Sequence, residues 1–210
     1  MISKQENLIQ KAVILLKSAR VIIIPTETVY GLAVNAEDYQ AVNKLIAIKN
    51  RNPAKVIATA ITDITMANKL AIVSQLAKKL INQFWPGPLT IVIPASKLAK
   101  EKLPHLLSKG YIGLRCPNNT ITQKILSHFN YGLAMTSANI SGHKNANNVN
   151  EIDKKIMSQI SLTINDGQSK LQQESSVIKI TNQDKIILLR NASLDIRKIT
   201  SSLSDNCLIN

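Results

Sequence analysis

Val21, Ile22, Ile23 and Ile24 form an unbroken run of β-branched side chains closed by Pro25. A run of this kind reads as a strand buried on both faces. Pro25 has no N–H to give to a sheet ladder and ends the strand. Thr26, Glu27 and Thr28 therefore leave the sheet together, placing three polar side chains at the mouth of a core strand. Gly31 lets the chain turn or approach a ligand before Leu32, Ala33 and Val34 resume an apolar pattern. The same spacing also fits a hairpin whose loop is threonine-rich.

The remaining segments alternate between helical and extended patterns. Leu8, Ile9, Ala12, Val13, Leu16 and Ala19 recur at helical spacing over residues 4–19, and Ala41, Val42, Leu45, Ile46 and Ile48 do so over 38–49. The second helix stops at a basic knot, Lys49, Asn50 and Arg51, before Pro53. Strands are predicted at 56–61, 89–93, 111–115, 133–135, 162–165, 177–180 and 185–189, and helices at 66–70, 74–84, 118–129 and 151–157. Residues 94–110 read as a polar surface excursion with a helical turn, and 141–150 as a loop that packs no core. Ser193 reads as the N-cap of a short terminal helix. There is no repeat or linker, so the expectation is one domain over 1–210, of the α/β class with a mixed sheet.

Composition narrows the function classes. Lys and Arg number 26 against 13 Asp and Glu, a formal charge of +13 that favours a phosphate-bearing partner such as a nucleotide or RNA. Aromatics are only 3%, which disfavours a single-strand binder built on base stacking. No apolar run spans a bilayer and the N-terminus lacks a signal-peptide core, so a cytoplasmic location with no membrane partner is expected. Cys116 and Cys207 form no CxxC motif, and His105, His128 and His143 are scattered, so neither a disulfide framework nor a zinc site is indicated.

Five pieces then read together: PTETVYGL at 25–32, KNR at 49–51, WPGPLT at 85–90, GLRCP at 113–117 and TSANISG at 136–142. In this order and spacing they resemble the YrdC-like family of L-threonylcarbamoyl-AMP synthases, the TsaC type, from about Val21 to Arg190. The resemblance implies a three-layer α/β domain with a twisted mixed β-sheet around a basic concave cavity. Longer members carry an extra C-terminal domain, and this chain is too short for one. The implied activity joins L-threonine, bicarbonate and ATP into threonylcarbamoyl-adenylate and pyrophosphate. A separate complex then passes the threonylcarbamoyl group to adenosine beside the anticodon of certain tRNAs. A catalytically inactive YrdC-like module that binds structured RNA or the ribosome is the alternative reading of the +13 charge.

In the implied reaction a carbamate oxygen attacks the ATP α-phosphate while pyrophosphate leaves, so positioned cations and Mg²⁺ are its main requirement. Carried over by motif, Thr28, Arg115, Ser137 and Ser176 are implied threonine contacts, Arg115 being suited to bidentate pairing with a carboxylate. Lys49, Arg51, Lys55, Asn139, Asn147 and Arg190 are implied ATP contacts, and no general acid or base is assigned. Trp85 reads as a packing residue, Cys116 as an inert thiol and His143 as solvated. The chain departs from the family pattern at Asn52, Val56 and Ala60. Near the end Glu174, Ser175, Ser176, Val177, Ile178 and Lys179 stand where Pro-Ser-Thr-Val-hydrophobic-Asp is usual.

Overall fold

Helix starts follow the side chains that can satisfy the first free N–H groups. A computed structural model of the chain describes residues 3–50 and 57–201. In it, side chains of Ser3, Asp38, Asp63, Ser74, Ser96 and Asn119 each accept a hydrogen bond from the backbone N–H three residues on. They cap α1 (Lys4–Lys17), α2 (Tyr39–Lys49), α3 (Ile64–Leu70), α4 (Gln75–Phe84), α5 (Lys97–Lys102) and α6 (Thr120–Leu126). Two short helices follow, α7 (Lys154–Met157) and α8 (Ile196–Ser201).

The strands are β1 (Ile22–Ile24), β2 (Gly31–Asn35), β3 (Ala58–Ala60), β4 (Leu89–Pro94), β5 (Tyr111–Arg115), β6 (Leu133–Ser137), β7 (Leu162–Thr163), β8 (Ser176–Ile180) and β9 (Ile186–Arg190). They form one mixed sheet in the order β7-β1-β2-β6-β3-β5-β4-β8-β9. β1 and β2 pair antiparallel with Ile24 opposite Gly31, so 25–30 is indeed a hairpin connection. Both readings of that stretch hold, because the connection also borders the cavity described below.

Alternation along the strands gives the sheet two unlike faces. Ile23, Leu32, Val34, Leu89, Ile91, Ile93, Ile112, Leu114, Ala134 and Ile178 pack into a large core with α2, α3, α4 and α5. On the other face Ile22, Ile24, Ala33 and Leu133 pack beneath α1 and α6 through Ala12, Val13, Leu16, Ile125 and Leu126. Those two helices cover only part of that face. Toward β4, β8 and β9 no helix of the described residues covers it, and Thr90, Val92, Val177 and Leu189 line an open concavity. The expected three-layer α/β architecture is therefore complete at one side of the sheet and hollow at the other.

Several expected boundaries move. The excursion at 94–110 is more than surface, since Leu103 and Leu106 are buried in the main core. β6 runs on to Ser137, two residues past the expected end, because Thr136 and Ser137 pair with Leu32 and Gly31. The 141–150 loop does pack the core: Ala146 is buried and its carbonyl accepts from Tyr30 N–H. Ser193 does not cap α8; its hydroxyl donates to the carbonyls of Gln173 and Glu174. The helix expected at 151–157 splits into a 3-10 turn, Val149–Glu151, and α7. Among the described residues no helix is long and apolar enough to cross a membrane.

Candidate functional site

The concave face holds a cavity of about 580 Å³. At its β1–β2 end the three polar residues of the hairpin connection act as a unit. Glu27 is nearly enclosed; its Oε1 accepts from Arg115 Nη2 at 2.9 Å and its Oε2 from the Asn118 N–H at 3.1 Å. Arg115 Nη2 also donates to Thr28 Oγ1 at 2.7 Å, and Thr28 Oγ1 lies 2.8 Å from Thr26 Oγ1. Thr26 Oγ1 donates to the Val29 carbonyl at 2.6 Å, which leaves Thr28 to donate to Thr26. Arg115 thus starts a directed chain of hydrogen bonds ending on backbone. Its Nε donates to the carbonyl of Gly87. Gly87 cannot be replaced freely, since a Cβ there would stand 2.4 Å from the Phe84 carbonyl oxygen. Arg115 and Thr26 line the cavity, whereas Thr28 is fully buried behind them and reaches it through Arg115.

Along the β6 side the last residue of α2, Lys49, turns inward and is 3% exposed. Its Nζ sits among four oxygens: Ser137 carbonyl at 2.6 Å, Ser137 Oγ at 3.0 Å, Asn139 carbonyl at 3.1 Å and Asn139 Oδ1 at 2.6 Å. Ser137 Oγ in turn donates to Asn139 Oδ1 at 2.7 Å. Lys49, Ser137 and Asn139 all line the cavity. Asn50 ends α2 in the left-handed region with φ 49°. Arg51, Asn52, Lys55 and Val56 lie outside the described residues. The chain around them runs from Lys49 to Ala58, both of which line the cavity.

Arg190 reaches the cavity through an irregularity. Val177 pairs with Arg190 but Ile178 pairs with Leu188, so Leu189 is an extra residue in β9. Ile186 and Leu188 face the main core, and strict alternation would send Arg190 there too. The bulge re-aims it onto the face of Val177. Its guanidinium donates to the Ser175 carbonyl from Nε at 2.9 Å, to Ser175 Oγ from Nη2 at 3.2 Å and to Glu174 Oε2 from Nη1 at 2.6 Å. Ser175 Oγ also lies 2.8 Å from Thr90 Oγ1, and all four of these residues line the cavity.

Besides Thr28, two residues implied by motif do not line the cavity. Ser176 is fully buried on the other face; its hydroxyl donates to the Leu194 carbonyl and accepts from the N–H groups of Ala192 and Leu194. Counting back by two from Ile180 and Ile178 places Ser176 on the core face, so the strand period held the signal that Ser175 is the cavity hydroxyl. Asn147 does not line the cavity either, and its buried side-chain oxygen has no hydrogen-bond partner. Thr26, Thr90, Thr136, Ser141, Glu174 and Ser175 are among the polar cavity residues that the motif carry-over missed.

The other singled-out residues are structural. Trp85 Nε1 donates to the Leu89 carbonyl at 2.7 Å and pins the turn into β4. Cys116 is buried, donates to the Thr62 carbonyl, and burial pushes its thiol up to about 11. Tyr30 is fully buried and its hydroxyl donates to the Gly167 carbonyl at 2.7 Å; burial raises its pKa. His143 is exposed, though it borders the cavity. Lys179, where the family pattern has Asp, stacks its ammonium over the Tyr111 ring at 3.8 Å. Ala60 is nearly buried in the α1–α6 core and also lines the cavity. Among the described residues no three His, Cys, Asp or Glu side chains gather to hold a metal ion.

Comparison with known proteins gives the chain its relatives. A Methanocaldococcus jannaschii protein provisionally assigned as a threonylcarbamoyl-AMP synthase is 36% identical over 87% of this chain and 84% of its own length. The threonylcarbamoyl-AMP synthase of Pyrococcus abyssi is 30% identical over 90% of this chain, which spans only 55% of that relative. The crystal structure of P. abyssi Sua5 complexed with L-threonine superposes with a TM-score of 0.86 at 28% identity, covering 96% of this chain and 58% of that one. Residues 14–192 match the Sua5/YciO/YrdC family profile, which carries the description "telomere recombination". With the ordered motifs, the half-covered sheet and this match over most of its length, the chain belongs to the Sua5/YciO/YrdC family.

Proposed function

We propose that this chain is an L-threonylcarbamoyladenylate synthase, a nucleotidyltransferase that converts L-threonine, bicarbonate and ATP to threonylcarbamoyl-AMP, pyrophosphate and water. The observation that carries the reading is the convergence of Lys49, Arg115 and Arg190 with buried hydroxyls in one cavity, within a family whose relatives bear that enzyme's name. Threonine's amine and bicarbonate give a carbamate, and a carbamate oxygen attacks the α-phosphorus as the bond to pyrophosphate breaks. Two anions must meet and charge grows on the leaving group, so fixed cations lining the cavity supply the stabilisation.

Arg115, anchored by Glu27 and Thr28, suits the threonine carboxylate, and Ser137 suits its polar groups. Arg190, Lys49 and Asn139 suit the nucleotide phosphates, with Arg51 and Lys55 reserved for the same role at the α2 exit. Mg²⁺ fits as an ion carried by the triphosphate rather than by a protein cage, since among the described residues no cluster of acidic or imidazole ligands stands ready. When bound it would neutralise charge on the phosphates; Lys49 fills the oxygen nest of Ser137 and Asn139 itself. The product is consumed by transfer of its threonylcarbamoyl group to tRNA by a separate complex, in the cytoplasm where ATP and tRNA meet.

Purified protein incubated with ATP, L-threonine and bicarbonate is expected to release pyrophosphate only when threonine is present. Lys49→Ala should reduce that release by about 100-fold or more, the scale of losing a preorganised charge from a site of this kind. Absence of threonine-dependent release from the unaltered protein would overturn the reading.

A further inference from the structure

Two arginine–glutamate pairs border the cavity, and they are built for different tasks. In the first, Glu27 is 6% exposed and Arg115 14%, and the second carboxylate oxygen is held by the Asn118 N–H. A carboxylate enclosed this way has no other partner to take, so the pair is fixed. In the second, Glu174 is 27% exposed and Arg190 38%. Water reaches both groups, so the pair contributes little net free energy and separates readily. Arg190 does not depend on it for position: Nε and Nη2 remain on the Ser175 carbonyl and hydroxyl when Nη1 is released.

We propose that Glu174 is an exchangeable counter-ion, occupying Arg190 Nη1 in the empty cavity and yielding it to phosphate oxygens of the incoming nucleotide, so that it sets nucleotide affinity. This rests on the reading that the cavity takes ATP. Glu174 opposes the anion twice over, by filling a guanidinium donor that pairs well with phosphate and by its own like charge. Glu174 stands where the family pattern that the chain resembles has proline.

The test is a calorimetric titration of inorganic tripolyphosphate, and separately of ATP, into the unaltered chain and its variants. Glu174→Gln keeps size and hydrogen bonding but removes the charge, and should tighten binding of both ligands about fivefold. Glu174→Asp keeps the charge and should stay within about twofold of the parent. In an Arg190→Gln background the gain from Glu174→Gln should shrink to about twofold or less, the share left to like-charge repulsion, because there is no donor left to exchange. Unchanged or weaker binding by Glu174→Gln, a gain in Glu174→Asp equal to that of Gln, or a gain that persists undiminished without Arg190 would each overturn the assignment. Tripolyphosphate reports on the counter-ion alone. If it responds as expected while the parent releases no threonine-dependent pyrophosphate, the synthase reading fails and the Glu174 assignment stands.

Discussion

Glu27 and Arg115 lie 2.9 Å apart on residues nearly out of solvent, so neither can be changed alone without leaving a charge stranded. Arg115→Met would leave Glu27 with only the Asn118 N–H, and the expected loss of folding stability is about 3 kcal/mol by denaturant titration. Adding Glu27→Gln to that variant should recover a large part of the loss; recovery of none would show that the cost lies in packing around Arg115 instead. The sequence placed Glu27 at the mouth of a core strand without naming its partner, and the distances give it Arg115. Thr28, by contrast, was singled out by its motif, but its buried place behind Arg115 was not legible. Which hydroxyl faces a ligand depends on a neighbour 87 positions away in sequence.

At the scale of elements, most helices were legible from their apolar spacing, and the caps that start them are local devices as well. Asp63 shows how far that reaches. Its side chain accepts from the Met66 N–H, and that hydrogen bond is the largest cause holding its carboxyl below the usual range. Asp63→Ala is expected to cost about 1 kcal/mol at neutral pH. A carboxyl depressed in the folded state stabilises above its unfolded pKa, 3.8, and loses that contribution as pH falls through the folded value. The gap between variant and parent should therefore close on acidification below about pH 3.8, followed by urea denaturation at stepped pH. A gap independent of pH would mean the cap acts through packing. Ser193 looked like the same device and is not, because its hydroxyl is drawn to the carbonyls before β8. The bulge at Leu189 left no local mark at all, since an extra residue in a strand is defined only by its partner's register.

For the whole molecule, a formal charge of +13 surrounds a cavity proposed to take a highly charged nucleotide and a zwitterionic amino acid. Long-range attraction should therefore speed the first and leave the second alone. Raising salt from about 0.05 to about 0.3 M is expected to slow tripolyphosphate association roughly fivefold in stopped-flow mixing while threonine affinity stays level. A salt effect of equal size on threonine would point to a change in the protein rather than to screening. The open concavity itself follows from coverage: α1 and α6 seal the sheet near β1 and β6, and the described chain lays no helix over β4, β8 and β9 on that face.

The sequence by itself determined the class of fold, most element positions and the identity of the motif residues, because apolar period, proline punctuation and capping side chains act within a few neighbours of one another. Only the tertiary structure decided which of those residues share a cavity. It placed Ser175 rather than Ser176 beside Arg190, turned Arg190 outward through a register shift, and drew Lys49 into the oxygens of Ser137 and Asn139. The physical reason is that strand pairing and side-chain burial are settled between segments tens of residues apart, where a periodic pattern fixes which face a residue takes but not what stands opposite it.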